Sequence, residues 1–104
     1  MRIRQLYQDG TKITVWPLRV TYLPATETQV LIWAPKSLFR HAVDRNRLRR
    51  QMRAAWRQNK APLEQKEQKY RIAFNYIDRQ MQEYSVIEHA VKKAVKKLHE
   101  ATNA

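Results

Sequence analysis

The stretch from Lys36 to Arg57, KSLFRHAVDRNRLRRQMRAAWR, dictates much of what this chain can fold into. It holds eight of the 21 Lys+Arg residues and a single acid, Asp44. On a helix of about 100° per residue, Leu48, Met52, Ala55 and Trp56 fall in one arc. Asn46, Arg50, Arg53 and Arg57 run along the opposite side, with Arg47 and Arg49 flanking them. Arg45 lies nearer the apolar edge, where its stem packs while its head reaches outward. A helix with one apolar arc has to bury that arc against a second layer. The rest of the chain must supply that layer, and the arginines must face away from it.

Like charges at i, i+4 destabilise a helix by a few tenths of a kcal/mol per pair. Three arginines on one stripe, with few acids near them, serve stability poorly. A polyanion relieves the repulsion. Arginine suits one better than lysine, because its planar fork makes bidentate phosphate contacts. A solvated face without a partner is the weaker reading, since such faces usually mix signs.

The whole chain carries the same bias. Its 104 residues have a formal net charge of +12 and a pI near 10.5. That balance calls for an anionic partner, nucleic acid first. An anionic membrane surface is second, but it requires an apolar insertion face, and the apolar residues here belong to a core. The length fits one domain, residues 1–104, with one modest core. Absence of cysteine excludes disulfides and thiolate metal sites. Neither a secretory h-region nor an apolar run of spanning length occurs, so the cytoplasm is the default compartment. One glycine and no low-complexity tract favour a folded domain over a basic tail.

In chain order, residues 2–8 suit a short helix ended by Asp9-Gly10, with Ile3, Leu6 and Tyr7 on one face. ITVWPLRVTYL, residues 13–23, is strand-like, and Pro17 marks an edge, bulge or break that can split it in two. Val20 and Tyr22 point one way, Arg19 and Thr21 the other. QVLIWA, residues 29–34, is apolar on both faces and reads as a central strand. Residues 59–69 suit a loop or a helical turn begun at Pro62. From Tyr70 to Ile77 apolar residues alternate with Arg71, Ala73 and Asn75, the period of a half-buried strand. Ser85-Val86-Ile87-Glu88 reads as a capping box. The helix after it has Ala90, Val91, Ala94, Val95 and Leu98 on one face. Lys92, Lys93, Lys96 and Lys97 lie on the other, where solvation is the usual case and RNA contact the alternative. The order is α-β-β-(β)-α-β-α. It predicts an α+β, two-layer α/β sandwich, with the basic helix and the C-terminal helix packed on a small central sheet.

No constellation for protein-based catalysis is visible. His41, His89 and His99 are scattered, and nine Asp+Glu residues are spread without a pair for acid–base work. One glycine cannot build a phosphate loop. No metal site is expected. Trp16, Trp33 and Trp56 lie in apolar runs, which favours core packing over base stacking. The residues describe a binder.

The run Phe39-x-x-Ala42-Val43-x-Arg45-Asn46-Arg47-x-Arg49-Arg50, followed by Arg53 and Trp56, resembles the signature of the bacterial ribonuclease P protein subunit. The resemblance implies an α/β sandwich with a left-handed crossover through the basic helix, against the general right-handed rule. It implies an RNA-based endoribonuclease that matures tRNA 5′ ends. Catalysis would reside in the RNA with its magnesium, and the protein would hold no cofactor of its own. Its partners would be the ribonuclease P RNA and the 5′ leader of precursor tRNA, with no membrane or protein partner predicted. Arg45, Asn46, Arg47, Arg49, Arg50 and Arg53 match the helix that faces the catalytic RNA, and Arg57 continues the stripe. Tyr7, Arg19, Thr21 and Lys36 fall at the leader cleft. Ser37 stands where the family usually has a second lysine and Thr21 where some members have an aromatic, which implies one phosphate contact fewer and weaker stacking there. The alternative is a structural RNA-binding protein, such as a small ribosomal protein. A DNA-binding module lacks residues aimed at base edges, and a protein-only nuclease lacks a catalytic cluster.

Overall fold

The structure is a computed structural model that describes residues 3–101. A short helix, α1 (Ile3–Asp9), leads into strands β1 (Thr11–Val15), β2 (Leu18–Ala25) and β3 (Gln29–Trp33). The basic helix α2 (Ala42–Asn59) follows, then a single turn, α3 (Ala61–Glu64). Strand β4 (Lys69–Tyr76) and helix α4 (Tyr84–Ala101) complete the order. The α+β arrangement expected from the sequence is present.

The four strands form one sheet in the order β1-β2-β4-β3. Pro17 does divide the first strand region. Val15 pairs with Leu18, Trp16 and Pro17 form the connection through a cis peptide, and the amide of Ile77 donates to the Pro17 carbonyl at 2.9 Å. β2 pairs antiparallel with β4, whereas β3 pairs parallel with β4. β4 therefore holds the centre, and its alternate residue Ala73 is buried beside Ile72 and Phe74. The central place expected for QVLIWA is wrong: β3 is an edge strand. Its two apolar faces have separate causes. Ile32 packs into the core beneath the helices, whereas Leu31 and Trp33 face the other side.

The core lies between one face of the sheet and helices α2 and α4. Val20, Phe74 and Ile32 form a row across that face. Leu48, Met52, Ala55 and Trp56 of α2 meet it, with the Trp56 and Phe74 rings 5.8 Å apart. The buried stripe of α4, from Ile87 through Leu98, completes the layer. Tyr84 donates its hydroxyl to Gln58 Oε1 at 3.2 Å, which ties the start of α4 to the end of α2. α4 begins at Tyr84, and the amides of Val86 and Ile87 bond to the Glu83 carbonyl at 3.0 and 3.3 Å. Ser85 thus sits inside the first turn rather than capping it. Pro62 opens α3, as its missing N–H allows, and Leu63 is buried.

Among the described residues, the opposite face is covered only by α1. The Gly10 amide closes the helix on the Leu6 carbonyl at 2.9 Å. A Cβ at Gly10 would stand 2.4 Å from that carbonyl oxygen and 2.7 Å from Thr21 Cγ2. Only glycine lets the end of α1 land this close on β2. No other described element covers the rest of this face, toward β3.

Two of the three tryptophans do not enter the core. Trp56 is buried, but Trp16 is 56% and Trp33 52% exposed. Trp16 occupies the β1–β2 connection. Trp33 has the strand parity opposite to buried Ile32, so it emerges on the open face.

Candidate nucleic-acid interface

α2 presents its guanidinium groups as its periodicity requires. Asn46, Arg47, Arg50, Arg53 and Arg57 are exposed, and the buried arc on the other side anchors them. Arg49 is half-buried, and its Nη2 donates to Asn46 Oδ1, three residues earlier. This aims both side chains along the stripe. Val43, Asn46, Arg49, Arg50 and Arg53 line a shallow concavity of about 430 Å³. Val43, 74% exposed, forms its apolar lip. Such a surface carries several forks that fit phosphate oxygens and almost no acid to oppose them.

Arg45 has a different environment. Its Nη1 donates to the carbonyls of Phe39 at 2.8 Å and Arg40 at 2.9 Å. It fastens the turn that enters α2, and so holds the first turn of the basic helix against the sheet edge. Phe39 packs on Tyr76 with ring centroids 5.6 Å apart, which anchors the same turn.

A second surface lies on the open face of the sheet. Arg19, Asn75 and Trp33 are register partners across β2, β4 and β3, so they form one row. Tyr7, from α1, donates its hydroxyl to Asn75 Oδ1 at 3.1 Å and leans over this row. Ile3, Tyr7, Leu31, Trp33 and Asn75 enclose a cleft of about 320 Å³. Lys36 is exposed three residues beyond Trp33, at the edge toward α2. An exposed indole, a phenol and a neighbouring guanidinium are the parts that hold unpaired bases.

Three of the four residues expected at this cleft, Tyr7, Arg19 and Lys36, are on or beside it. Thr21 departs from the expectation. It has the right strand parity but is 1% exposed, lying under the α1–β1 junction against Gly10. Its hydroxyl lies in the floor, beyond the reach of a bound strand. Two cleft residues were not anticipated, Trp33 and Asn75. Their parity was readable from alternation, but their exposure depends on α1 packing chiefly on β2 and β4 rather than on β3.

Fold and surface together describe a small, strongly basic α+β protein with one arginine-rich helix face and one aromatic cleft on the opposite side of its sheet. The family model for ribonuclease P matches residues 1–99. The ribonuclease P protein component of Porphyromonas gingivalis strain W83 is 34% identical over 102 residues, covering 89% of this chain and 74% of that protein. The protein from a second strain of that species is 33% identical with the same coverage. Among solved structures, the RNase P protein of Thermotoga maritima superposes with a TM-score of 0.76 at 15% identity, over 93% of this chain and 94% of that one. The Staphylococcus aureus RNase P protein gives 0.73 at 18% identity, over 91% and 85%. At those identities the structural likeness speaks for the fold. The chain belongs to the ribonuclease P protein family. Membership makes it a ribonuclease P protein subunit in tRNA 5′ maturation and implies RNA binding.

Proposed function

We propose that this subunit lays the α2 stripe on the catalytic RNA and holds the 5′ leader of precursor tRNA in the cleft between α1 and the sheet. Arg50, Arg53 and Arg57 neutralise phosphates of the RNA, with Arg47, Arg49 and Asn46 beside them. Arg45 acts one step back, by holding the start of α2. Trp33 and Tyr7 supply the stacking surfaces for leader bases, and Arg19 and Lys36 meet the leader backbone. Cleavage is carried out by the RNA with its bound magnesium, and the complex works in the cytoplasm.

The observation that carries this reading is the pairing of two unlike surfaces on one small molecule. A structural RNA-binding protein needs the arginine stripe. It does not need an aromatic cleft with a cationic margin on the other side of the sheet. A leader of variable sequence is well served by stacking and charge, which tolerate any base. Fixed guanidinium groups replace diffuse cations where RNA folding crowds phosphates together, and their binding releases counterions.

The test is cleavage of precursor tRNA by a bacterial ribonuclease P RNA at low magnesium, with and without the protein. The expected result is cleavage only with protein, recovered by RNA alone at high magnesium. Binding to RNA without rescue of cleavage by any compatible RNA would move the protein to the structural RNA-binding class.

A further inference from the structure

The outward face of α4 is the most strongly charged surface that the proposed function leaves unused. His89, Lys92, Lys93, Lys96 and Lys97 are all exposed on it. No acid occurs between Glu88 and Glu100. None of the four lysines makes an ion pair among the described residues. Lys92–Lys96 and Lys93–Lys97 are i, i+4 like-charge pairs, which weaken a helix. The helix dipole does not explain them, because α4 runs on to Ala101 and the dipole acts within the last turn. The buried stripe of α4 already secures the helix, so the lysines add nothing to packing.

Two concavities follow this face. One, of about 380 Å³, is lined by His89, Lys92, Lys93 and Lys96. The other, of about 490 Å³, lies between α4 and the end of α2, where Lys92, Lys96 and His99 flank an apolar lining that includes Val95 and Pro62. Lys92 and Lys96 belong to both, so the basic surface of α4 continues toward the end of α2 that carries Arg57.

We infer that this face is a second RNA-backbone surface, which binds phosphates of a duplex segment of the RNA that α2 engages. The inference rests on the proposed function for the identity of that RNA. Duplex follows from what the face lacks. It has no Trp, Tyr or Phe, so it offers no platform for unpaired bases. It has mobile point charges on long stems, suited to tracking a backbone by charge and shape. No large apolar side chain projects from it, the nearest apolar lining being Val95 and Pro62 in the groove beside α2, which argues against insertion into a lipid surface.

The test uses the full chain with all four lysines changed, Lys92→Gln, Lys93→Gln, Lys96→Gln and Lys97→Gln, titrated against ribonuclease P RNA over a range of potassium chloride. The expected result is weaker binding and a log–log salt slope shallower by about 2 to 4, at about 0.9 per lost phosphate contact. The four-arginine replacement should keep the wild-type slope. Melting should be unchanged or slightly higher, because the removed charges repel one another. Variants changed only at Lys92 and Lys96, or only at Lys93 and Lys97, should each lose about half the effect, and they keep the test open should the fourfold variant fold poorly. An α2 variant, Arg50→Ala with Arg53→Ala, runs in parallel. An unchanged slope in the lysine variant, with a shallower one in the α2 variant, overturns the second surface and leaves the proposed function standing. Unchanged slopes in both, or no binding by the wild type, overturn both. A lysine variant that loses binding to phosphatidylserine vesicles but not to RNA also overturns the inference.

Discussion

Tyr76 shows how much one side chain ties together here. Its ring is buried against Phe39, at the turn that enters α2. Its hydroxyl donates to the Gln80 carbonyl at 2.6 Å and accepts from the Gln82 amide at 2.9 Å, in the turn that enters α4. One phenol thus fixes both helices to the end of β4. Burial pushes its pKa up, Asp78 adds to that, and the bond from the Gln82 amide works the other way. A raised folded pKa keeps the native phenol neutral while the unfolded one ionises. Its contribution is therefore complete below about pH 10 and is lost as pH rises from there through the folded value. Tyr76→Phe should cost about 1–3 kcal/mol at neutral pH by leaving a carbonyl and an amide unpaired. It should also flatten, without abolishing, the alkaline loss of stability, because Tyr70 and Tyr84 are raised by burial too. Urea unfolding at pH 7 and at pH 11 measures both effects. An alkaline loss as steep as wild type would rule out Tyr76 as a source.

Elements meet at places that local pattern does not reveal, and the α1–β2 junction is one. The end of α1 touches β2 at Gly10, where a methyl group would collide with the Leu6 carbonyl and the buried Thr21 side chain and press on the Tyr22 carbonyl. Gly10→Ala should destabilise the protein by about 1–3 kcal/mol. It should also lift α1, so that Tyr7 leaves Asn75 and the cleft widens. Hydrogen exchange would show faster exchange in α1 with little change in α2. A uniform change across both would mean that α1 does not move independently. The two long helices were far more legible than this junction. Each carries a continuous buried stripe, from Leu48 to Trp56 in α2 and from Ile87 to Leu98 in α4, and such a stripe has one use. The strands carried less information. β3 is apolar on both faces because it meets two different layers, a pattern that a central strand shares.

In the whole molecule, the sheet separates the α2 stripe from the aromatic cleft, the two surfaces of the proposed function. The arginine stripe belongs to the helix layer and the aromatic cleft to the open face. They approach each other only at the β3 edge, where Trp33 leads to Lys36 and on to α2. This separation makes their effects separable. Trp33→Ala should weaken binding of a precursor with an unpaired 5′ leader by about 5- to 150-fold, the value of one stacked base. Binding of a leaderless tRNA, or of the ribonuclease P RNA alone, should be unchanged. Parallel titrations with the two tRNAs measure the difference. Equal losses for both would place the leader elsewhere.

The sequence by itself determined which residues share a face. Arg50 with Arg53, Leu48 with Met52, and Arg19 with Thr21 were all settled by the periods of helix and strand, which depend only on local geometry. The excess of positive charge and its concentration in arginine on α2 were equally plain, and they set the kind of partner. Tertiary structure decided which faces are covered. Thr21 and Arg19 point the same way, yet α1 buries one and leaves the other exposed. Trp56 and Trp33 both sit in apolar runs, yet one lies under a sheet and the other beside a gap. Covering depends on where distant segments land. That is fixed by strand order, by the parallel pairing of β3 with β4, and by the seating of α1 on β2 and β4.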